Sequence, residues 1–433
     1  MSSTWFGPAH FWHENVEDLE QYSSGGYHPV YLEDKFCVGR YEVIYKLGDG
    51  SFFTVWLCKD ARTQHYVFVK VAVSKKGRRQ TFELEILRAI RDGDSKHPGK
   101  RFVNLLLDEF TIDGPNGCHQ CLVFPVALNS VAIAKEASTR DSRMFPAPVA
   151  RSIVVQVLLA MSHVHSCGIV HADLHTQNIL IRARQSKSWP LVEPYKCPER
   201  LKVKRYDGAP IGPNVPEYQV QSQGTLTPAD TIPSDCEVLV TDFGEAFLMD
   251  DTSGAHQEYE LNTPFLVRPL DSMFGFPITT AADIWTLGMT VFDILGRSRL
   301  FQDYWPDADT VLCKAIDTFG PLPPKIWQSW PSRSQYFKDD GSWQEAARPS
   351  EEEILPTLTD RIRDSLGLRE ESETFGYTEV ELKSLEKMLR SMLQYEPENR
   401  ATVDEVLRSE WVREYGMPAI IDALPDIDLS NLN

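Results

Sequence analysis

The sequence predicts an α+β chain of two lobes, a small antiparallel-sheet lobe ahead of a larger, mainly helical one. Three observations lead there. The chain has 433 residues, more than one small hydrophobic core accommodates. Between Tyr41 and Val126 much of the chain falls into short runs rich in Val, Tyr, Phe and Trp, the composition of strands. Beyond Ala127 the apolar residues recur mostly at helical spacing.

Taken in order, residues 1–35 read as an irregular lead-in and residues 36–126 as the small lobe. Tyr41 to Lys70 reads as strand, turn, strand, strand. Phe82, Ile86, Leu87 and Ile90 predict a helix over Arg79–Arg91, and two further strands are expected near Phe102–Phe110 and Gln120–Val126. Residues 127–416 form the large lobe. Its best amphipathic helix runs from Ala150 to His165, with Ile153, Val154, Val157, Leu158, Met161 and Val164 on one face. Residues 184–235 are rich in Pro, Ser, Gly and charge, and read as an insert that is partly disordered. A strand returns at Glu237-Val-Leu-Val240, helices dominate from Thr280 to about Tyr415, and residues 417–433 read as a tail.

Hydrophobic content of 42% and charged content of 24% are ordinary for a globular protein. A formal net charge of −18 disfavours nucleic acid or an anionic membrane as the main partner, and is compatible with a basic one. The first residues lack the basic end and apolar stretch of a signal peptide. No run of about 18 apolar residues predicts a spanning helix. Eight cysteines are scattered along the chain and are expected to be reduced. Cys118-His-Gln-Cys121 has metal-ligand spacing, but Cys121 also opens an apolar strand and no second ligand pair stands out.

Four motifs carry the chemistry. Gly48-Asp49-Gly50-Ser-Phe-Phe-Thr-Val55 lies between strands; its glycines allow a tight turn and close approach to phosphates, although a lone Gly-x-Gly is more often a plain hairpin. Val67-Phe-Val-Lys70 is a strand ending in lysine, which alone could be a solvated strand end. Thirteen residues on, Glu83-Leu-Glu-Ile-Leu87 offers Glu83, with Glu85 as the alternative on another helix face. His171-Ala-Asp-Leu-His-Thr-Gln-Asn178 has the spacing H-x-D-x-x-x-x-N, and Thr241-Asp-Phe-Gly244 follows a strand.

In this order the motifs resemble those of the eukaryotic protein kinases, over about residues 36–416. Asp283-Ile-Trp-Thr-Leu-Gly288 and Met392 to Arg400 resemble two further segments of that family, and count against a small-molecule kinase. The resemblance implies the bilobal protein kinase fold, ATP and Mg2+ as cofactors, and direct transfer of the γ-phosphoryl group to a serine hydroxyl. Lys70 would hold the phosphates, paired with Glu83; Asp173 would orient the substrate hydroxyl; Asn178 and Asp242 would hold magnesium. Gly48, Asp49, Gly50 and Val55 would cover the nucleotide, with Phe124 as gatekeeper and the Ala127 N–H serving the adenine ring. His171 is expected to pack under the loop. Asp283 would brace that loop, and Arg400 would pair with Asp271.

The likeness narrows to the SR-protein kinases at Gly25-Gly-Tyr-His-Pro-Val30, Gly39-Arg-Tyr41, Lys46-Leu-Gly48, Thr54-Val-Trp-Leu57 and Gly320 to Trp327, with 184–235 as a short spacer. It implies a basic arginine/serine-rich protein substrate involved in RNA splicing, no direct nucleic-acid or membrane partner, a monomer, and a cytoplasmic or nuclear location or both. Acid runs at Glu351–Glu353 and Glu370–Glu373 fit a basic substrate but also ordinary solvated helix faces. Three positions depart from the family: Phe53 for the third glycine, Ala172 for the arginine of H-R-D, and His175 for a lysine. They are the sole support for the alternative of a pseudokinase scaffold. Thr263 lies one residue off the family's activation-segment threonine and inherits no role.

Overall fold

The computed structural model describes residues 10–11, 16–74, 78–137, 143–183, 199–222, 235–249, 261–347, 357–368 and 375–432, without the side chains of 78–81 and 271. The acid runs at 351–353 and 370–373 lie outside the described residues. The chain divides into two compact units. The first comprises 1–91, 104–129 and 182–228; the second comprises 92–103, 130–181 and 229–433.

The first unit is built on a six-stranded antiparallel sheet in the order β1-β2-β3-β4-β6-β5. Its strands are β1 (Lys35–Phe36), β2 (Tyr41–Gly50), β3 (Phe53–Asp60), β4 (Tyr66–Ala72), β5 (Asp108–Gly114) and β6 (Gly117–Pro125). Alternation sends Val43, Trp56, Cys58, Val69 and Cys121 into one core. Cys121 is therefore a core residue whose burial pushes its thiol well up, whereas Cys118 is exposed. The helix α1 (Arg78–Asp92) follows β4.

One expected strand is displaced. Residues 98–102 form a 3-10 turn opened by Pro98, and the strand starts only at Asp108. Phe102 and Val103 are buried in the second unit instead, where the turn packs on the helix Ala147–Ser166 and Val103 bridges in parallel to Val240.

The insert also differs from expectation. Residues 200–202 pair antiparallel with 218–220, and this ribbon belongs to the first unit, not to the helical lobe. Val220 and Tyr218 pack against Tyr45, Leu57 and Val126, and Val203 packs with Leu19, Tyr22 and Tyr27 of the lead-in. Few apolar residues do this work, which is why the segment lacks periodicity. Lead-in and insert are tied by polar bonds too: Gln219 Nε2 donates to the Glu17 carbonyl at 2.8 Å, and Asn116 Nδ2 to the carbonyls of Tyr27 (2.6 Å) and Asn214 (2.8 Å).

At the centre of this packing Lys46 is fully buried. Between two register shifts of β2 against β3, Tyr45 and Lys46 pair with Leu57 and Trp56, and both are buried. The ammonium pairs with buried Glu17 and, at 3.0 Å, with Asp49. The Tyr22 hydroxyl donates to the same Glu17 carboxylate.

The second unit is organised around α3 (Ala147–Ser166), with the short α2 (Val131–Ala137) ahead of it. By length and composition alone α3 is apolar enough to cross a membrane, but 89% of its most apolar stretch is buried in the protein core. The 3-10 turn Pro98–Phe102, the helix Thr280–Leu295 and the helix Met417–Ala423 pack against it. Residues 417–423 are thus part of the core and not a tail, with Ile420 and Leu424 buried. Gly416 permits this approach, because a Cβ there would lie 2.6 Å from Val155 Cγ2.

Removing one partner of a buried ion pair strands the other charge. Glu17→Ala is expected to lose about 3–5 kcal/mol of stability, read as a lowered urea midpoint; a loss under about 1 kcal/mol, the range of an exposed pair, would show that Asp49 and solvent satisfy Lys46 alone.

Candidate active site

In the first unit, β2 and β3 meet in the glycine-bearing hairpin, where Gly50 pairs with Phe53 and Gly48 with Val55. Val55 in turn pairs with Lys70 across β3 and β4, which puts both side chains on one face of the sheet. Lys70 Nζ lies 2.6 Å from Glu83 Oε1. Glu83 is buried on α1, whereas Glu85 is exposed, so helix periodicity selects the first of the two glutamates. The lead-in reaches this hairpin: the Tyr27 hydroxyl donates to the Gly50 carbonyl at 2.7 Å, and Asp49 pairs with Lys46. Phe124 stands opposite Phe68 near the end of β6, and Val126 accepts the Ala183 N–H at 3.3 Å. Ala127 follows, buried.

In the second unit, the strands 179–182 and 238–240 pair antiparallel and carry the loop 171–178 and the turn 241–244 side by side. The Thr241 N–H donates to the Asn178 carbonyl at 2.9 Å, and His171 Nε2 to the Thr241 carbonyl at 3.1 Å. The His171 ring also packs on Phe243, with centroids 4.8 Å apart. Asn178 Nδ2 donates to the Asp173 carbonyl (2.9 Å) and to Asp173 Oδ2 (3.2 Å). Asp173 Oδ1 is buried and makes no hydrogen bond. His175 Nδ1 accepts the Gln177 N–H at 3.3 Å, and its Nε2 lies 3.3 Å from Asn178 Nδ2 and 3.6 Å from Asp173 Oδ1.

The loop is held by one carboxylate. Asp283 Oδ2 accepts the His171 N–H at 2.8 Å and lies 2.9 Å from His165 Nε2, while Oδ1 accepts the Ala172 N–H at 2.9 Å. Ala172 and Asp242 both have left-handed backbones, with φ of 65° and 64°. That conformation costs roughly 1–2 kcal/mol for a residue with a Cβ. At Ala172 it is secured from both sides, by Asp283 on the N–H and by the Thr263 hydroxyl, which donates to the carbonyl at 2.7 Å. A second brace runs through Asp293, which accepts from Thr176 Oγ1 at 2.8 Å and pairs with Lys135 of α2 at 2.6 Å.

Comparison with known proteins gives the family. The model of the protein kinase domain matches residues 41–192. The chain is a serine/threonine protein kinase. A serine/threonine protein kinase of Aspergillus fumigatus is 27% identical over 401 residues, 92% of this chain and 90% of that protein. Protein kinase dsk1 of Schizosaccharomyces pombe is 42% identical over 169 residues, 38% of this chain and 30% of that one. SRSF protein kinase 3 of Homo sapiens is 39% identical over 171 residues, 39% of this chain and 30% of that one. Within the kinases the likeness is therefore to the SR-protein kinases.

Three features of the kinase escaped the sequence reading. Thr263, given no role there, is buried and bonded to the loop 171–178. The Lys135–Asp293–Thr176 brace joins residues more than a hundred positions apart, and no spacing announces it. The ties from Glu17 and Tyr27 to the glycine hairpin had a faint signal in the likeness of the lead-in to the family. The expected partner of Arg400, the Asp271 side chain, lies outside the described residues. Arg400 itself donates to the carbonyls of Ala281 (2.7 Å) and Gln394 (2.8 Å).

Asp283→Asn puts an amide NH2 where the loop needs an acceptor. The phosphate-transfer rate is expected to fall about 10²-fold with the far-ultraviolet circular dichroism unchanged; an undiminished rate would show that Thr263 and Asp293 hold the loop without it.

Proposed function

We propose that this kinase transfers the γ-phosphoryl group of ATP, with Mg2+, to serine hydroxyls in arginine/serine-rich proteins of the RNA-splicing apparatus. The observation that carries the chemistry is Asp173 Oδ1, a buried carboxylate oxygen without a hydrogen-bond partner, beside Asn178. A buried acceptor without a donor is costly unless a ligand completes it. A substrate hydroxyl is such a donor.

The donor set also suits a hard divalent cation. Asp242 supplies carboxylate oxygens and Asn178 an amide oxygen, its NH2 being turned to Asp173. Asn178 and Asp242 would hold the cation, which when bound neutralises charge on the phosphate oxygens. Lys70, steadied by Glu83, holds phosphate oxygens. Asp173 accepts a hydrogen bond from the serine hydroxyl and orients its oxygen for in-line attack. His175 stands where a lysine is usual, with its Nε2 beside Asp173 Oδ1 and Asn178 Nδ2.

For the substrate, the likeness to the SR-protein kinases is joined by charge. The net charge of −18 attracts basic segments at long range. On the second unit Tyr304 and Trp305 are 95% and 90% exposed, flanked by Asp303 and Asp307. Guanidinium groups stack on aromatic faces and pair with carboxylates, so this surface suits arginine repeats.

The test offers ATP and Mg2+ with an arginine–serine repeat peptide and an acidic serine peptide, using Asp173→Asn as control. Transfer is expected to the repeat, reduced about 10²–10⁴-fold in the variant while ATP binding persists. Undiminished turnover in Asp173→Asn would remove Asp173 from the mechanism, and transfer to the acidic peptide alone would remove the substrate.

A further inference from the structure

The glycine hairpin carries a residue whose position the reaction does not account for. Along β3, Thr54, Trp56 and Cys58 are buried, and Phe53 and Val55 alternate with them onto the opposite face. Val55 is directly paired with Lys70, and Phe53 with Ala72, two residues further along β4. An aromatic ring reaches such a diagonal neighbour, and here it does: Lys70 Nζ stands over the Phe53 ring, 4.2 Å from its centroid. The distal edge of the ring faces the turn. A Cβ on Gly50 would lie 2.9, 3.2 and 3.3 Å from three of its carbons. The Phe53 ring thus occupies space beside both the Gly50 turn and the Lys70 ammonium.

That space is where a glycine hairpin and a lysine would grip a phosphate. A phosphate oxygen bonded to an ammonium lies about 2.8 Å from the nitrogen. On the ring side of Lys70 that point falls within the thickness of the ring. Phosphate and ring therefore exclude one another there, and both are attracted to the same charge.

We propose that Phe53 is an internal competitor for the phosphate site: its ring caps Lys70 in the nucleotide-free kinase, must swing away when ATP binds, and so sets the affinity for ATP. The proposal rests on the reading of Lys70 as the group that holds the phosphates. Phe53 touches no reacting atom; it governs access to one that does. The tether of Tyr27 to the Gly50 carbonyl, at 2.7 Å, restrains the turn, so the motion belongs to the side chain and not to a flapping loop.

The test measures ATP affinity directly by calorimetry in the full-length wild type, Phe53→Ser and Phe53→Leu. A cation–π contact of ordinary strength corresponds to about a 2- to 30-fold weakening of ATP binding. Phe53→Ser is expected to bind ATP tighter by that factor, and Phe53→Leu, which keeps bulk but has no π face, to fall between. A second readout needs no nucleotide: the rate at which an amine-acylating probe modifies Lys70, located by mass spectrometry, is expected to rise in Phe53→Ser. ATP affinity unchanged or weakened in Phe53→Ser overturns the proposal, because the ring then supports the nucleotide. If no variant binds ATP, the reading of Lys70 fails, and an unchanged labelling rate in that case removes the cap as well.

Discussion

The Asp283 carboxylate is the contact on which the catalytic loop depends. It is 1% exposed and receives two backbone N–H groups and one imidazole. A buried carboxylate this well supplied with donors is satisfied where it stands, and cannot leave without abandoning three partners. Because its helix, Thr280–Leu295, is packed on α3, the rigidity of the core is passed directly to the backbone of His171 and Ala172. Asp173 is the next residue. Its position is fixed less by its own contacts, one of whose oxygens is free, than by the backbone on either side.

The same economy recurs around the site. Asp293, one helix face further on, joins Lys135 of α2 to Thr176 of the loop. Thr263 closes on the Ala172 carbonyl from the segment beyond the Asp-Phe-Gly turn. Ala172 stands where an arginine is usual, and its left-handed backbone is held by Asp283 on its N–H and by the Thr263 hydroxyl on its carbonyl. In the first unit the buried Lys46–Glu17–Tyr22 cluster has an analogous role for the glycine hairpin. Burying these charges in pairs costs desolvation, so their value lies in geometry: a paired, fully bonded charge has one arrangement in which it is satisfied.

Much of this was legible in the residues. Strand alternation marked β2, β3 and β4, and the 3.6-residue period marked α1 and α3 to within a few positions. Lys70, Asp173, Asn178 and Asp242 lie in short motifs whose spacing is set by local backbone geometry, so each could be named from a few neighbours. Even the choice of Glu83 over Glu85 follows from which face of a helix points inward. The strand near Phe102 was misplaced because the apolar pair Phe102-Val103 ends a 3-10 turn opened by Pro98 and is buried in the second unit, whereas the strand of the first unit starts only at Asp108.

What the sequence by itself determined is therefore local: a strand-rich segment ahead of a mainly helical one, and the motifs with the residue type at each of their positions. What only the tertiary structure decided is what those residues touch. The insert at 200–220 buries few apolar side chains, each against a partner far away in the chain, so no periodicity could announce it. The lead-in gains its place through Glu17 and Tyr27, whose partners are a lysine and a backbone carbonyl more than twenty residues away. Phe53 in the sequence is only a departure from glycine; that its ring rests on the Lys70 charge depends on the pairing of β3 with β4. Spacing along the chain encodes contacts within a turn or a strand, whereas contacts across the fold exist only once burial has brought the elements together.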